Sequence, residues 1–226
     1  MFPSKVTTVE DAVRHLKTGM TLMSGGFQCC GIPETLLKAV SGTDAADLTV
    51  ITLSTALKGR GTGILIHEGK VRKLYVSHIG SNTETVEKTL NGELECVFVP
   101  QGTLAERIRA GGSGLGGILT PTGLGTPIAD GKEILTVNGK EYLLELPLHA
   151  DIAFIHAWKA DTMGNLAYHY SARNYNPLMA MAADFVIAEA ETIVEAGELG
   201  PDEIETPACV VDVVVQGEPV RARWEV

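Results

Sequence analysis

The amino-acid sequence predicts an α/β fold: an open, mostly parallel sheet with helices on both faces and a small antiparallel hairpin layer. Two observations carry this prediction. Short runs of apolar and β-branched residues, typical of strands buried on both faces, alternate with helical patterns along the chain. The pair Asn138-Gly139 lies between two alternating arms and indicates a tight hairpin. The sequence contains no repeat or linker, so we expect one domain over residues 1–226.

The first half of the chain alternates between the two kinds of pattern. Thr7 and Glu10 have capping-box spacing, which predicts a first helix that ends at Gly19. Buried strands are predicted at residues 20–24, 48–53, 71–76 and 94–99. Helices are predicted at residues 33–41 and from Asn82, a residue suited to an N-cap, to about residue 91.

The second half begins with another capping-box spacing. Thr103 and Glu106 predict the start of a helix that ends at Gly111-Gly112. Eight glycines between residues 111 and 131 predict a long loop, and long loops in compact domains are often functional. Beyond the hairpin, strands are predicted at 150–158, 185–188 and 209–215, with a helix that opens at Asn176-Pro177.

Composition excludes several classes of function. The 226 residues carry a formal net charge of −10, which argues against a nucleic-acid partner. No apolar run approaches the roughly 20 residues of a membrane span, and residues 1–5 do not resemble a secretory signal, so we expect a cytoplasmic protein without a membrane partner. The four cysteines include no Cys-x-x-Cys pair and the histidines have no zinc spacing, so no metal site is predicted.

The most informative stretch runs from Gly25 to Gly31, between a predicted strand and a predicted helix. Glycines allow a positive φ and a close approach of backbone to ligand, and a helix N-terminus favours an anion. Gly26 and Gly31 have P-loop spacing, but Ile32-Pro33 replace the required Lys and Ser/Thr, and the dinucleotide fingerprint is absent. A tight turn without any ligand is the alternative interpretation.

The pattern Gly-Gly-Phe-x-x-x-Gly-x-Pro resembles the coenzyme A loop of family I CoA-transferases, in their alpha subunit. Further segments resemble the same family in the same order, at residues 77–82, 100–107, 110–114, 120–126, 172–177 and 197–199. The resemblance covers about residues 5–215, and the nearest branch is the acetate or butyrate–acetoacetate CoA-transferases of bacteria. It implies the open α/β sheet of that family and coenzyme A as a substrate, with no permanently bound cofactor.

CoA transfer between carboxylic acids needs a carboxylate nucleophile, which attacks the acyl thioester and then carries CoA as a glutamyl thioester. In the resembled family this glutamate lies in a Ser-Glu-Asn-Gly motif of the beta subunit. That motif is absent from this sequence. The resemblance therefore implies that this chain has no catalytic residue of its own and works in a hetero-oligomer with a beta subunit.

The same resemblance assigns binding residues. It implies that coenzyme A contacts the loop formed by Gly25, Gly26, Phe27, Gln28, Cys29, Cys30 and Gly31. The two adjacent cysteines are interpreted as small reduced side chains rather than nucleophiles. Candidate substrate contacts, all near predicted strand ends, are Leu53, Ser54, His78, Asn82 and Gln101.

Two of these candidates depart from the family. Leu53-Ser54 stand where many members have Asn-Asn or Asn-Asp, so one amide donor is replaced by an apolar side chain. This departure concerns the choice of acyl group more than the fold. For His78, Asn82 and Gln101, a role as a satisfied turn residue is the alternative.

Two functional hypotheses follow. The first is the alpha subunit of a heteromeric CoA-transferase, which moves CoA between a short-chain acyl-CoA or 3-oxoacyl-CoA and a carboxylic acid such as acetate or butyrate. The second is a non-catalytic sensor that binds a phosphorylated metabolite in the same glycine turn, because sugar-phosphate isomerases have a broadly similar fold.

Overall fold

The computed structural model describes residues 3–219, so the predicted domain of residues 1–226 includes a few terminal residues outside that range. Its strands are β1 (Val6–Thr7), β2 (Thr21–Ser24), β3 (Leu48–Thr52), β4 (Val71–Val76), β5 (Glu95–Phe98), β6 (Ile118–Thr120), β7 (Ile134–Val137), β8 (Lys140–Glu145), β9 (Ala150–Asp161), β10 (Leu166–Ala167), β11 (Ala183–Val194) and β12 (Val213–Gln216). Its helices are α1 (Val9–Val13), α2 (Glu34–Val40), α3 (Thr62–His67), α4 (Thr83–Leu90), α5 (Gln101–Gly112) and α6 (Asn176–Met181).

The strands of the large sheet lie in the order β1-β12-β11-β9-β2-β3-β4-β5. All pairs along this path are parallel, and only the short strand β10 joins β9 in the antiparallel sense. The longest pairing joins β9 to β11, where ten residues of each strand are in register. The predicted fold class, a mostly parallel sheet with an added antiparallel layer, is confirmed.

Helices cover both faces of this sheet. Side chains alternate along each strand, so Leu22 and Met23 of β2 point to opposite faces. Met23 belongs to a core that includes Leu104 and Ile108 of α5 and Met179 of α6. Leu22 belongs to a second core, which α1, α2 and α3 cover. Burial on both faces explains why the strands consist of nearly continuous apolar runs.

The antiparallel layer is a separate three-stranded sheet in the order β6-β8-β7. Asn138 (φ 51°) and Gly139 (φ 75°) join β7 to β8, and two successive positive φ values define the turn that Asn-Gly pairs favour. The predicted hairpin is confirmed. The glycine-rich stretch before it contains β6 and one short 3₁₀ turn, Pro127–Ala129.

Helix starts were predicted with mixed success. The Asn82 side chain accepts the N–H of Thr85, as predicted. The cap of α1 is Thr8, whose hydroxyl accepts the N–H of Asp11, so the prediction from Thr7 was wrong by one residue. Helix α5 already begins at Gln101 behind Pro100, which places Thr103 inside the helix rather than at its cap.

Four helices or strands were not predicted: β1, β6, β10 and α3. Two of them are two-residue strands, which are too short to give a periodic pattern. The predicted strand at 209–215 begins only at Val213, because a 3₁₀ turn, Ala208–Val210, precedes it. The longest helix of residues 3–219 has 12 residues, and none there is long and apolar enough to cross a membrane.

Candidate functional site

The glycine loop follows β2 at the carboxyl edge of the large sheet, where open α/β sheets bind ligands. Gly25 donates its N–H to the carbonyl of Phe154 in β9 (3.0 Å), which joins the loop to the centre of the sheet. Phe27 and Cys30 then exchange two backbone hydrogen bonds of 3.0 Å each. Gln28, at the tip of this turn, has a φ of 55°, which is uncommon for a residue with a side chain.

Two asparagine side chains hold the ends of the loop. Asn174 Oδ1 accepts the N–H of Gly26 (3.1 Å), and its Nδ2 donates to the carbonyl of Cys30 (3.2 Å). Asn176 Nδ2 donates to the carbonyl of Gly31 (3.0 Å) while its Oδ1 accepts the N–H of His156 (3.0 Å). The segment from Asn174 to Asn176 therefore fixes the shape of the loop.

The same segment explains the glycines. A Cβ at Gly25 would lie 1.7 Å from Asn176 Oδ1, and a Cβ at Gly31 would lie 2.2 Å from the carbonyl oxygen of Ala172. Gly31 also has a φ of 64°. At Gly25 and Gly31 the backbone therefore lies close to another segment of the same chain, residues 172–176.

The N-terminus of α2 already faces a carboxyl group from within the protein. Glu189 of β11 is fully buried, and its Oε2 accepts the N–H of Leu36 at 2.9 Å. Burial raises the pKa of Glu189, and the hydrogen bonds from Leu36 and Thr35 lower it in part. The sequence led us to expect open N–H groups that favour an anion here, and at Leu36 the N–H is already bonded to Glu189.

Further polar groups are buried beside Glu189. His156 of β9 is in register with it, and the two side chains share the face that α2 covers. Among the described residues, Ser24 Oγ, both ring nitrogens of His156 and Glu189 Oε1 have no hydrogen-bond partner. His156 Nε2 lies 3.2 Å from Glu191 Oε1 without hydrogen-bond geometry. Unpaired polar atoms of this kind are where buried water molecules bind in proteins.

A stack of rings stands next to the loop. Trp158 stacks on His169 (centroids 4.7 Å apart), and His169 stacks on Tyr170 (3.9 Å). Lys159 Nζ lies 4.2 Å from the Trp158 ring centroid. Ser171, which follows Tyr170 in the chain, places its Oγ 3.6 Å from Cys30 Sγ. This contact joins the ring stack to the glycine loop.

Within residues 3–219 no group of three or more His, Cys, Asp or Glu side chains could hold a metal ion. Both loop cysteines are half-buried thiols. The guanidinium of Arg60 forms an ion pair with Glu34, the first residue of α2, at 2.5 Å. The loop itself contributes no cationic side chain.

Comparison with known proteins decides the family. Residues 6–217 match the family model described as Coenzyme A transferase. The chain belongs to the coenzyme A transferase family. It is 50% identical to the alpha subunit of the acetate CoA-transferase of Escherichia coli, over 94% of this chain and 96% of that protein. It is 47% identical to the acetoacetyl-CoA:acetate/butyrate CoA transferase alpha subunit of Clostridium acetobutylicum, over 94% and 98%.

Solved structures share the fold of this CoA-transferase chain. Glutaconate coenzyme A-transferase from Acidaminococcus fermentans superposes with a TM-score of 0.85 at 19% identity, over 95% of this chain and 76% of that one. An acyl-CoA transferase from E. coli gives a TM-score of 0.86 at 22% identity. The superposition covers 99% of this chain but only 49% of the E. coli chain, so this chain corresponds to about half of that structure.

The CoA-transferase chain uses the residues after β3 in different ways. Ser54 Oγ accepts the N–H of Gln28 at 2.8 Å, so it supports the tip of the loop. Leu53 is only 2% exposed and packs in the core that α5 and α6 cover. The expectation that the Leu53 side chain meets an acyl group is therefore not supported. His78 is exposed and pairs with Ser54 through a backbone bridge at the same edge.

The last two substrate candidates have structural roles. Asn82 is 1% exposed, and besides capping α4 it donates to the carbonyl of Thr55 at 3.3 Å. The side chain of Gln101 is exposed at the start of α5, and its carbonyl accepts the hydroxyl of Tyr175 at 2.7 Å. Burial raises the pKa of Tyr175 to about 12, so this hydroxyl stays a donor at neutral pH.

Sequence reasoning missed Glu189 as a residue that shapes the site, and it did not assign to Asn174 and Asn176 the role of holding the glycine loop. The two asparagines lie in the segment 172–177, which was one of those that resembled the family. That resemblance was a signal for them. Glu189 lies in a strand and has no comparable local signal.

Proposed function

We propose that this chain is the alpha subunit of a heteromeric CoA-transferase. It would move CoA between a short-chain acyl-CoA or 3-oxoacyl-CoA and a carboxylate such as acetate or butyrate. The observation that carries this proposal is identity of 47–50% to two proteins named as alpha subunits, along nearly the whole of each chain. A relative from Helicobacter pylori, at 45% identity, is named as one chain of a succinyl-CoA:3-ketoacid coenzyme A transferase.

The nucleophile is assigned to the partner. This chain lacks Ser-Glu-Asn-Gly, and we expect the catalytic glutamate on a beta subunit with that motif. The glutamate carboxylate attacks the thioester carbonyl and expels CoA as a thiolate, leaving a mixed anhydride. The thiolate attacks the glutamyl carbonyl, which releases the first carboxylate and forms a glutamyl-CoA thioester. The acceptor carboxylate then attacks the glutamyl-CoA thioester, and the same two steps run in reverse to give the new acyl-CoA and the free glutamate.

In this scheme the present chain binds and orients the substrate. Residues 25–31 are the proposed contact with coenzyme A, and Ser54, His78 and Gln101 lie along the same edge of the sheet. Asn82 stabilises that edge through its buried hydrogen bond to the carbonyl of Thr55. Coenzyme A acts as a substrate here, and the proposal needs no permanently bound cofactor.

The sensor hypothesis is not favoured. The relatives with 44–50% identity are named as CoA-transferase subunits over at least 92% of this chain. A shared glycine turn alone no longer supports a different class of protein.

The test is reconstitution. The purified 226-residue chain is assayed for CoA exchange between acetoacetyl-CoA and acetate or butyrate, alone and after addition of the beta subunit from the same source. We expect no exchange by the chain alone and exchange by the mixture. A glutamate-to-alanine variant of the partner's motif is the control and should abolish it. Exchange by the chain alone, or none by the mixture, would contradict the proposal.

A further inference from the structure

We propose that residues 25–31 bind the uncharged pantetheine arm of coenzyme A, and that the phosphates of the ligand bind elsewhere. This inference rests on the proposed function and names the part of the substrate that the loop takes. A glycine turn before a helix normally suggests a phosphate site. The contacts of this loop point the other way.

Five of the seven backbone N–H groups of residues 25–31 already donate to acceptors within the chain. Those of Gly25 and Gly26 donate to Phe154 and Asn174. At the tip, Phe27 and Cys30 donate to each other's carbonyls and Gln28 donates to Ser54. In the first turn of α2, Leu36 donates to Glu189. A phosphate would have to displace these bonds one by one.

The local charge also opposes a phosphate. Glu34 and Glu189 are both buried, and they place two carboxyl groups at the first turn of α2. The guanidinium of Arg60 is held by Glu34. The ammonium of Lys38, 3.4 Å from Glu34, faces the same carboxylate. Both of these cationic side chains are therefore engaged by Glu34, and neither is left to pair with a phosphate.

The loop instead presents apolar and amide surface. Phe27 is 39% exposed, and Gln28 beside it is half-buried. Gln28 has a positive φ, and its N–H is held by Ser54; residues in such strained conformations cluster at ligand-binding positions. The pantetheine arm has two amide groups on an aliphatic chain. The Gln28 side chain can both donate to and accept from an amide, and the Phe27 ring can cover the aliphatic part.

The experiment compares thioester donors of one acyl group in the assembled enzyme: acyl-CoA, acyl-dephospho-CoA, acylpantetheine and the S-ethyl thioester. Gln28→Gly removes the side chain without opposing the positive φ. Gln28→Asn keeps an amide and tolerates the same φ. Leu90→Ala, at an exposed position of α4, is the control for effects of mutagenesis and purification that are unrelated to the loop.

We expect Gln28→Gly to lower kcat/KM by roughly 3- to 10-fold, the loss of about one hydrogen bond. The factor should be the same for the first three donors and should disappear for the S-ethyl thioester, which has no amide. Gln28→Asn should recover part of the loss, and Phe27→Ala should follow Gln28→Gly.

Three results would overturn the inference. A factor that disappears on acylpantetheine would place the nucleotide or its phosphates on the loop. A factor that persists on the S-ethyl thioester would mean that the substitution only disorders the loop. No effect with any donor would remove the loop from the substrate. Failure of the proposed function is a different result, because the wild-type mixture would then transfer no CoA.

Discussion

Gly25 is the residue at which the site depends most directly on a missing side chain. We predict that Gly25→Ala destabilises the chain by about 1–3 kcal/mol, the usual cost of overpacking. A methyl group there would meet Asn176 Oδ1 at 1.7 Å and push this amide away from His156 and Gly31. Urea denaturation measures the loss.

Gly102→Ala is the matched control, because a Cβ at Gly102 meets no atom within 4 Å and this glycine lies inside α5. It should leave stability unchanged or raise it slightly. The clash also predicts coupling: in an Asn176→Ala background, Gly25→Ala should cost less than in the wild type. Equal costs in the two backgrounds would refute this account of the glycine.

Glu189 gives a prediction about pH. Its pKa is raised by burial, so the folded chain holds this proton more tightly than the unfolded chain. The associated stability is complete below the ordinary glutamate pKa of about 4.3 and is lost as the pH rises through the raised value. Glu189→Gln keeps an oxygen acceptor for Leu36 and cannot ionise. From pH 4 upward, the wild type should therefore lose stability relative to Glu189→Gln.

Urea midpoints of both proteins between pH 4 and 8 measure this difference. Parallel pH profiles would show that the ionisation of Glu189 does not affect stability. Glu189→Ala, which leaves the Leu36 N–H without its acceptor, should be less stable than Glu189→Gln at every pH.

At the scale of elements, the glycine loop depends on the turn before α6. We predict that Asn174→Ala lowers kcat/KM of the assembled enzyme by roughly 10-fold, because two loop hydrogen bonds of about 0.5–1.5 kcal/mol each are lost. Asn174→Asp keeps the acceptor for Gly26 but loses the donor to Cys30, so its effect should be intermediate.

Asn91→Ala is the control for that series. Asn91 is exposed at the end of α4, and its side chain donates a 3.3 Å bond to the exposed Glu93. It should leave activity and stability unchanged. If Asn174→Ala behaved like Asn91→Ala, the loop would keep its shape without the clamp.

Elements whose signals are local could be predicted from the sequence. The cap at Asn82 and the turn at Asn138-Gly139 depend on residues that are neighbours in the chain. The partners of the glycine loop could not be predicted in this way. Asn174 and Asn176 lie about 145 positions beyond the loop, and Glu189 lies 153 positions from Leu36. Nothing in a single sequence states which distant segments meet.

At the scale of the whole molecule, the same limit applies to strand order. The alternation of strands and helices predicted a parallel sheet. It did not predict that β9 lies between β2 and β11, which places Met23 beside Ala153. That arrangement is decided by packing between segments far apart in the chain.

The strand order leads to a prediction for amide hydrogen exchange. Strands β9 and β11 are paired over ten residues, lie inside the sheet and are covered on both faces. Strand β7 is an edge of the small sheet, and its residues are mostly exposed. We expect amides of β9 and β11 to exchange at least about 100-fold more slowly than those of β7, because central strands open only with global unfolding. Similar rates would show that the two sheets unfold together.

The ring stack beside the loop supplies an optical reporter of the site. Trp158 is one of two tryptophans, and the other is Trp224. The emission of an indole depends on the groups packed against its ring, so the fluorescence of Trp158 should follow the position of His169. After Trp224→Phe, the emission of this single indole would report movement of the segment that holds the loop. Ligand binding could then be followed without any attached dye.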